Sequence, residues 1–319
     1  MSIQNEAISG IHHVTAITAD AQKNIDFYYG VLGLRLVKLT VNFDDPSSYH
    51  LYYGDELGRP GTILTFFAWP GAYRGRIGPP QVSVTAFAVP AGAVDYWLGR
   101  LKEHSIQAQS STDRFGERVL SFADPDGMSL ELIGVTAPKG EPWRAGPVPA
   151  EHSIRGFHGV TISEEGYENT AKLLTETMGF KAAGSEQNRF RYRAAGDAAG
   201  TIVDLLCVPD ARHGNMGAGV VHHVAFRTPD DSQQAAWRNK IAQLMLNVSP
   251  VMDRVYFHSI YYREPGGVLF EIATDNPGFT MDEPAEKLGS GLKLPPWLEE
   301  YRTEIQRAVP PVRLPVPGQ

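Results

Sequence analysis

The sequence predicts an α+β fold of four βαβββ modules arranged as two similar domains. Three observations support this prediction. Four β-branched segments of strand length recur from residues 11, 82, 157 and 221, and they read IHHVTA, VSVTAF, FHGVTI and VHHVAF. Each is followed by a stretch whose apolar residues have helical spacing. Each module then closes with a strand that follows a glycine turn.

The helical stretches are the second element of each module. Their apolar residues recur at intervals of three to four, which places them on one face of a helix. They are NIDFYYGVLGL (24–34), AVDYWLGRLKEH (93–104), NTAKLLTETMGF (169–180) and QAAWRNKIAQLM (234–245). The first and third end in Leu-Gly-Leu and Met-Gly-Phe, where a glycine that adopts positive φ freely is expected to end the helix.

Composition along the chain predicts the domain boundaries. Modules one and two form an N-terminal domain over 1–136, and modules three and four form a C-terminal domain over 155–276. Between them, 137–154 is rich in Pro and Gly and lacks periodicity, as is typical of a linker. A tail over 277–319 contains one helical stretch at 297–309 and a proline-rich end, and we expect it to pack over the body.

Charge and composition favour a small-molecule ligand. The formal net charge is -7 and lysines and arginines do not cluster, which argues against nucleic acid and anionic membranes as partners. No leader-like or membrane-length apolar run occurs, and the single cysteine, Cys207, lies in an apolar segment expected to be core. These features predict a cytoplasmic protein without a membrane partner, and they are compatible with a homo-oligomer.

Aligning the four modules identifies candidate metal ligands. The equivalent positions on the opening strands, and those four residues after each turn glycine, are His13, Ser83, Gly159 and His223, and Thr65, Glu131, Asp204 and Glu271. Pairing modules one and four brings together two histidines and one carboxylate, whereas pairing consecutive modules leaves one histidine in each half. Two histidines and a carboxylate on one face leave coordination positions open, as non-heme Fe(II) enzymes require. We therefore predict His13, His223 and Glu271 as metal ligands.

The fourth position of that set is Thr65. A carboxylate or amide there would close the site toward a lyase or isomerase, so the threonine favours oxygen chemistry. The remaining candidates have structural interpretations: His158 aligns with His12 instead of His13, and Glu131 and Asp204 are expected to be paired carboxylates. Aromatic residues that would line an aryl pocket or fill the core are Phe66, Phe67, Trp69, Tyr256 and Phe257.

Four motifs, IHHVT, YHLYYGDELGRPGT, GVVHHVAF and YYREPGGVLFEI, carry a resemblance that spans nearly the whole chain. Through them the sequence resembles the vicinal oxygen chelate superfamily of glyoxalases, bleomycin resistance proteins and extradiol dioxygenases. Within it, the resemblance is to hydroquinone-type ring-cleaving dioxygenases. It implies two glyoxalase/dioxygenase-like domains and an Fe(II) cofactor, with Mn(II) as the alternative. The implied reaction inserts both atoms of O2 into a hydroquinone or catechol ring.

The resemblance also implies five residues around the ligands, namely His12, Thr15, His222, Arg254 and Tyr261. Thr15 lies two residues beyond His13 and so shares its strand face. His12 and His222 adjoin ligands and would face away in a regular strand, so their participation requires a bulge. Arg254 would stabilise an anionic oxygen and Tyr261 would donate a hydrogen bond.

Two other function classes are compatible with the same scaffold. One is a metal-dependent lyase or isomerase of the glyoxalase kind, which needs no oxygen, and Thr65 argues against it. The other is a resistance protein that binds a planar aromatic without turnover, and a complete ligand set argues against that.

Overall fold

Two eight-stranded sheets organise the part of the chain that the computed structural model describes, residues 7–315. Each of the four predicted modules has the order strand, helix, three strands, which confirms the α+β class. The first six residues of the predicted N-terminal domain and the last four of the predicted tail lie outside the described residues.

The elements follow the four modules in chain order. Module one comprises β1 (Ile11–Thr18), α1 (Ala21–Ile25), β2 (Arg35–Asn42), β3 (Asp45–Gly54) and β4 (Ile63–Ala68). Module two comprises β5 (Gln81–Pro90), α2 (Val94–Glu103), β6 (Ala108–Arg114), β7 (Glu117–Ala123) and β8 (Ser129–Val135). Module three comprises β9 (Phe157–Glu164), α3 (Glu168–Lys172), β10 (Lys181–Glu186), β11 (Arg189–Arg193) and β12 (Ile202–Cys207). Module four comprises β13 (Val221–Thr228), α4 (Asp231–Gln243), β14 (Met252–Asp253), β15 (Phe257–Arg263) and β16 (Leu269–Pro277).

Each sheet combines one module from each half of the chain. The first sheet has the order β14-β15-β16-β13-β1-β4-β3-β2 and joins modules four and one. The second has the order β10-β11-β12-β9-β5-β8-β7-β6 and joins modules three and two. The opening strands meet antiparallel at the centre of each sheet, and each runs parallel to the closing strand of its own module. The pairing of modules one and four that gathers two histidines is therefore the one the fold adopts.

The helix of module one is fixed at both of its ends. The Asp20 carboxylate accepts a hydrogen bond from the Lys23 backbone N–H and so caps α1, which continues as a π-helical turn over Asp26–Val31. At Gly33, where φ is +68°, a Cβ would lie 2.6 Å from Val148 Cγ2, so both the backbone and the packing require glycine. The predicted glycine stop is thus confirmed at this helix.

The inner helix faces and the sheets share one apolar core. Trp97 on α2 and Trp237 on α4 are both fully buried in it. Full burial of a large apolar side chain contributes about 1.5–3 kcal/mol relative to its exposure. The indole Nε1 of Trp97 also donates to the His152 carbonyl at 2.8 Å, so its polar atom is satisfied.

The segments outside the modules pack on the body. Residues 137–154 contain neither helix nor strand, and Trp143 and Val148 bury this segment against its surroundings. The tail runs along β2, where the Lys293 N–H donates to the Leu39 carbonyl at 2.9 Å. The predicted tail helix is a 3-10 turn, Pro296–Tyr301, followed by α5, Arg302–Ala308. Over residues 7–315, no helix combines the length and apolarity that a membrane crossing requires.

Candidate metal centre

Three side chains from three neighbouring strands converge on one face of the first sheet. The Nε2 atoms of His13 on β1 and His223 on β13 lie 3.4 Å apart. The Oε2 atom of Glu271 on β16 lies 3.2 Å from the first and 2.9 Å from the second. All three residues are buried. The register aligns Ala225 with Glu271 and Thr15 with His223, which places the three positions on adjacent rows of the sheet.

The spacing of these atoms suits a bound ion. Nitrogen and oxygen ligands at about 2.1 Å from a metal, at right angles to one another, lie about 3 Å apart. Glu271 Oε2 is buried without a hydrogen-bond partner in the described structure, while Ser259 donates to the other oxygen, Oε1. One carboxylate oxygen is thus oriented by the protein and the other faces two imidazoles. This donor set fits a divalent metal ion.

The electrostatics keep the carboxylate available as a ligand. Burial raises the pKa of Glu271, but the adjacent imidazoles of His13 and His223 outweigh burial and hold it well below its usual range. Burial is the largest influence on His223 and lowers the pKa of its imidazole. A neutral imidazole and an ionised carboxylate are the forms that bind metal.

Two β-bulges bring the predicted neighbours His12 and His222 into contact with the ligands. The β1–β13 register shifts between Ile11 and His13 on one strand, and between Val221 and His223 on the other, so His12 and His222 are the extra residues. The Nδ1 atoms of His12 and His13 lie 2.9 Å apart, and those of His222 and His223 lie 2.7 Å apart. The two bulges thus turn His12 and His222 toward His13 and His223, as contact with the site requires.

Metal ligation through Nε2 would give a direction to the two Nδ1–Nδ1 hydrogen bonds. A histidine that binds metal through Nε2 carries its proton on Nδ1, so as metal ligands His13 and His223 would donate to Nδ1 of His12 and His222. Burial, as the largest effect, lowers the pKa of both acceptors, that of His222 to about 3, so both are neutral. His222 lines the cavity beside the centre, whereas His12 lies behind it against the Phe257 ring, with ring centroids 5.0 Å apart.

A cavity of about 260 Å³ opens beside the three candidate ligands. Its wall contains Thr15, His222, Arg254 and Tyr261 from the predicted set, and it does not contain His12. The full lining is His13, Thr15, Asn42, Phe43, Asp44, His50, Tyr52, Phe67, Trp69, His222, His223, Arg254, Phe257, Tyr261 and Leu269. Of the five aromatic candidates, Phe67, Trp69 and Phe257 line the cavity, while Phe66 and Tyr256 are buried in the core.

Arg254 and Tyr261 form a polar pair at one side of the cavity. The guanidinium Nε of Arg254 donates to the Tyr261 hydroxyl at 3.2 Å, and Nη1 lies 3.2 Å from the Asp44 carboxylate. Burial and the nearby Glu271 carboxylate raise the pKa of Tyr261, so it is a neutral phenol at neutral pH. The pair therefore offers a fixed positive charge and a hydroxyl next to the candidate centre.

Thr65 occupies the fourth aligned position on β4, but its hydroxyl is directed to other side chains. It is fully buried, and Oγ1 donates to Thr15 Oγ1 at 3.0 Å. The same atom lies 2.8 Å from Nε2 of His50. His50 was not among the predicted site residues. The signal that would have found it is the alternation His50–Tyr52 on β3, which pairs with β4 and so presents both side chains toward the same face as Thr65.

The two carboxylates at the equivalent positions of the second sheet are held in ion pairs. Asp204 accepts from Arg191 at 2.8 and 3.0 Å and from Arg189 at 3.1 Å, and Glu131 is paired with Arg114. His158 lies 2.8 Å from the Glu117 carboxylate, in agreement with its structural interpretation. Guanidinium groups thus neutralise Glu131 and Asp204 in the second sheet.

Comparison with known proteins agrees with this geometry. The sequence profile described as Glyoxalase/Bleomycin resistance protein/Dioxygenase superfamily matches residues 10–132 and 156–272. The chain is 49% identical over 302 residues to a Bacillus subtilis protein named as a ring-cleaving dioxygenase, MhqO, covering 95% of this chain and 96% of that one. It is 38% identical over 311 residues to the chlorohydroquinone/hydroquinone 1,2-dioxygenase of Sphingobium indicum, covering 95% and 97%.

Solved structures share the architecture. A Bacillus subtilis protein named as a dioxygenase superposes with a TM-score of 0.93 at 47% identity, covering 97% of this chain and 98% of that one. Glyoxalase I from Zea mays superposes with a TM-score of 0.62 at 16% identity, covering 83% and 92%, a likeness of fold alone. Both halves of the chain match one family profile, and a relative at 49% identity spans nearly its full length, so the chain belongs to the glyoxalase/bleomycin resistance protein/dioxygenase superfamily.

Proposed function

We propose that this protein is an Fe(II)-dependent dioxygenase that cleaves the ring of a hydroquinone- or catechol-type aromatic with O2. The observation that carries the proposal is a centre of two histidines and one carboxylate that faces a small aromatic-walled cavity. The relatives add support, because those identical to this chain at 38–49% over most of its length are named as ring-cleaving dioxygenases.

His13, His223 and Glu271 would hold the metal ion, with Mn(II) as the alternative to Fe(II). When bound, a redox-active ion with three open positions supplies coordination for substrate and O2 and a path for electrons between them. Burial of all three ligands keeps water from competing for the carboxylate. A single, partly buried cysteine and an Fe(II) requirement suit a reducing compartment, so we place the reaction in the cytoplasm.

The cavity walls suit a substrate with one aromatic ring. Phe67 and Trp69 stack with ring planes 6° apart, and Phe257 adds a further ring to the lining. Flat aromatic surfaces bind a planar ring through dispersion and apolar burial. The polar groups of the wall include the candidate ligands and the Arg254–Tyr261 pair, and we expect the ring hydroxyls to face these groups.

Arg254 and Tyr261 have complementary roles toward such a ring. The guanidinium is permanently charged and would stabilise a ring oxygen as it loses its proton. The Tyr261 phenol keeps its proton and would donate a hydrogen bond to an oxygen atom of the reacting ligand. Thr15, which also lines the cavity, would donate a second hydrogen bond. Together these groups would orient the ring relative to the three metal ligands.

Oxygen uptake tests the proposal. Protein loaded anaerobically with Fe(II) is given methyl- and chloro-substituted hydroquinones and catechols, beside H13A and E271A and the exposed control variants H104A and E103A. We expect about one O2 consumed per ring, a ring-opened chromophore, loss in the first two variants and full activity in the controls. Iron-loaded protein that consumes no O2 with any of these rings would contradict the proposal and favour an oxygen-independent lyase or isomerase.

A further inference from the structure

His50 lies in the cavity wall and connects it to a chain of buried polar groups. Its Nδ1 lies 2.9 Å from the Tyr52 hydroxyl, and its Nε2 lies 2.8 Å from Thr65 Oγ1. Thr65 Oγ1 in turn donates to Thr15 Oγ1 at 3.0 Å, and Thr15 also lines the cavity. Four side chains from β1, β3 and β4 thus form one hydrogen-bonded series, Tyr52–His50–Thr65–Thr15.

The hydrogen bonds of this series can run in either of two directions. The partners available to the Tyr52 hydroxyl select one of them. Tyr52 is a largely buried residue of the cavity wall, and within residues 7–315 His50 is the one hydrogen-bond partner of its hydroxyl. If Tyr52 accepted from His50, its own hydrogen would have no acceptor among residues 7–315, which is costly for a largely buried group. Tyr52 therefore donates to Nδ1, the neutral imidazole carries its hydrogen on Nε2 and donates to Thr65, and Thr65 donates to Thr15.

The environment of the imidazole supports its neutral form. Burial is the largest effect and lowers the pKa of His50 well below its ordinary value, and the nearby Arg254 guanidinium acts in the same direction. Rings on both sides hold it in place, since its centroid lies 4.0 Å from that of Tyr52 and 4.5 Å from that of Phe67. A neutral ring with one donor and one acceptor transmits a fixed direction along the series.

The direction of these hydrogen bonds determines where the Thr15 hydroxyl can donate. Its oxygen already accepts from Thr65, so its own hydrogen is left to point to a partner elsewhere, and its side chain borders the cavity. We propose that His50 is a positioning residue, which through Thr65 fixes the Thr15 hydroxyl as a hydrogen-bond donor to a ring oxygen of the bound aromatic. The inference rests on the proposed function for the identity of that ligand, but the order of the hydrogens does not.

Nitrogen NMR tests the order directly. The 15N shifts of an imidazole distinguish the N–H nitrogen from the one with a lone pair, and comparison of spectra with H50F assigns the signals of this ring. We expect neutral His50 with hydrogen on Nε2 at neutral pH in the wild-type protein. In Y52F the constraint on Nδ1 is removed, and the Nε2–H form should lose population. A His50 that carries hydrogen on Nδ1, or that is cationic at neutral pH, overturns the proposal.

Ligand binding and turnover test the consequence. Methylhydroquinone binding to anaerobic Zn(II)-loaded protein is measured by calorimetry, and kcat and KM are measured by oxygen uptake on Fe(II)-loaded protein. We expect T65V and H50F to weaken binding or lower kcat/KM by about three- to tenfold, as loss of one oriented hydrogen bond does, and H50Q to recover part of the effect through its amide donor. T85V removes a buried threonine hydroxyl at the module-two position equivalent to Thr15, so it is the control and should match the wild-type protein.

A double variant separates positioning from packing. If His50 acts through Thr15, H50F combined with T15V should lower kcat/KM no further than T15V alone. Independent, multiplying losses would overturn the proposal. Wild-type protein that consumes no O2 would instead refute the proposed dioxygenase, while the tautomer of His50 and the binding measurements would still decide the order of the hydrogens.

Discussion

The Nδ1 atoms of His222 and His223 lie 2.7 Å apart, although the two residues are consecutive on β13. Consecutive residues of a regular strand point to opposite faces, so this contact exists because the β1–β13 register shifts at His222. The same arrangement at His12 and His13 makes the two imidazole pairs symmetric across the central strands.

Removal of the His222 imidazole, which contacts the candidate ligand His223, should weaken metal binding without removing the ligand itself. In H222F the His223 Nδ1–H loses its acceptor, and we expect the affinity for Fe(II) or Mn(II) to fall about 10–100-fold. H222N offers an amide oxygen and should bind more tightly than H222F. Competition with a chromogenic chelator measures both affinities. If H222F binds as tightly as the wild-type protein, His222 does not orient the ligand.

Metal binding should stabilise the fold through Glu271. An ion present at about 100 times its Kd adds about 2.7 kcal/mol to the free energy of unfolding, which corresponds to a rise in Tm of several degrees. We expect differential scanning fluorimetry to record this rise in the wild-type protein and to find none in E271Q. E131Q changes the equivalent position of the second sheet and is the control, so its Tm should still respond to metal. A response that survives in E271Q would place the metal elsewhere.

The tail should affect substrate binding through one aromatic contact. Trp297 meets Phe43 edge-on, with ring centroids 5.7 Å apart, and Phe43 lines the cavity. Loss of an aromatic pair costs about 0.5–1.5 kcal/mol beyond its buried area, so W297A should raise KM about two- to tenfold with little change in kcat. Steady-state oxygen uptake measures both constants. Y301A, a second half-exposed tail aromatic, is the control, and an equal effect there would argue for a general loss of tail structure.

A buried carboxyl pair between modules three and four should make stability depend on pH. Burial, followed by the nearby Glu264 carboxylate, raises the pKa of Glu164 to about 8 from its usual 4.5. The Thr170 hydroxyl oxygen lies 2.8 Å from Glu164 Oε1 and 2.6 Å from Glu264 Oε2. The folded protein then retains a proton that the unfolded chain releases. The free energy of unfolding should therefore fall as the pH rises from about 4.5 to about 8, and then level off.

Urea unfolding at several pH values across that window measures this dependence. E164Q is neutral at every pH and should lack this component of the decline, whereas E168Q, exposed on α3, should retain it. Identical pH profiles for the wild-type protein and E164Q would contradict the shifted pKa.

Strand periodicity and the internal repeat were sufficient to predict the module order, the pairing of modules one and four, and the convergence of His13, His223 and Glu271. These features depend on spacing that the sequence carries directly. The contacts of His12 and His222 depend on bulges, which insert a residue without a composition signal, so spacing alone could not decide where those side chains point. Likewise, His50 reaches the cavity only through the β3–β4 register, and Phe43 lies in the wall because the chain folds back at the end of β2.

The ion pairs of the second sheet distinguish it from the first sheet, which carries the candidate metal ligands. In the second sheet, Arg189 and Arg191 supply the positive charge opposite Asp204. This buried carboxylate is therefore neutralised without an inorganic ion. The charges inside the second sheet are therefore balanced by its own side chains, independently of any ion held by His13, His223 and Glu271. We therefore expect that removal and return of a metal ion at the first sheet would leave the second sheet folded.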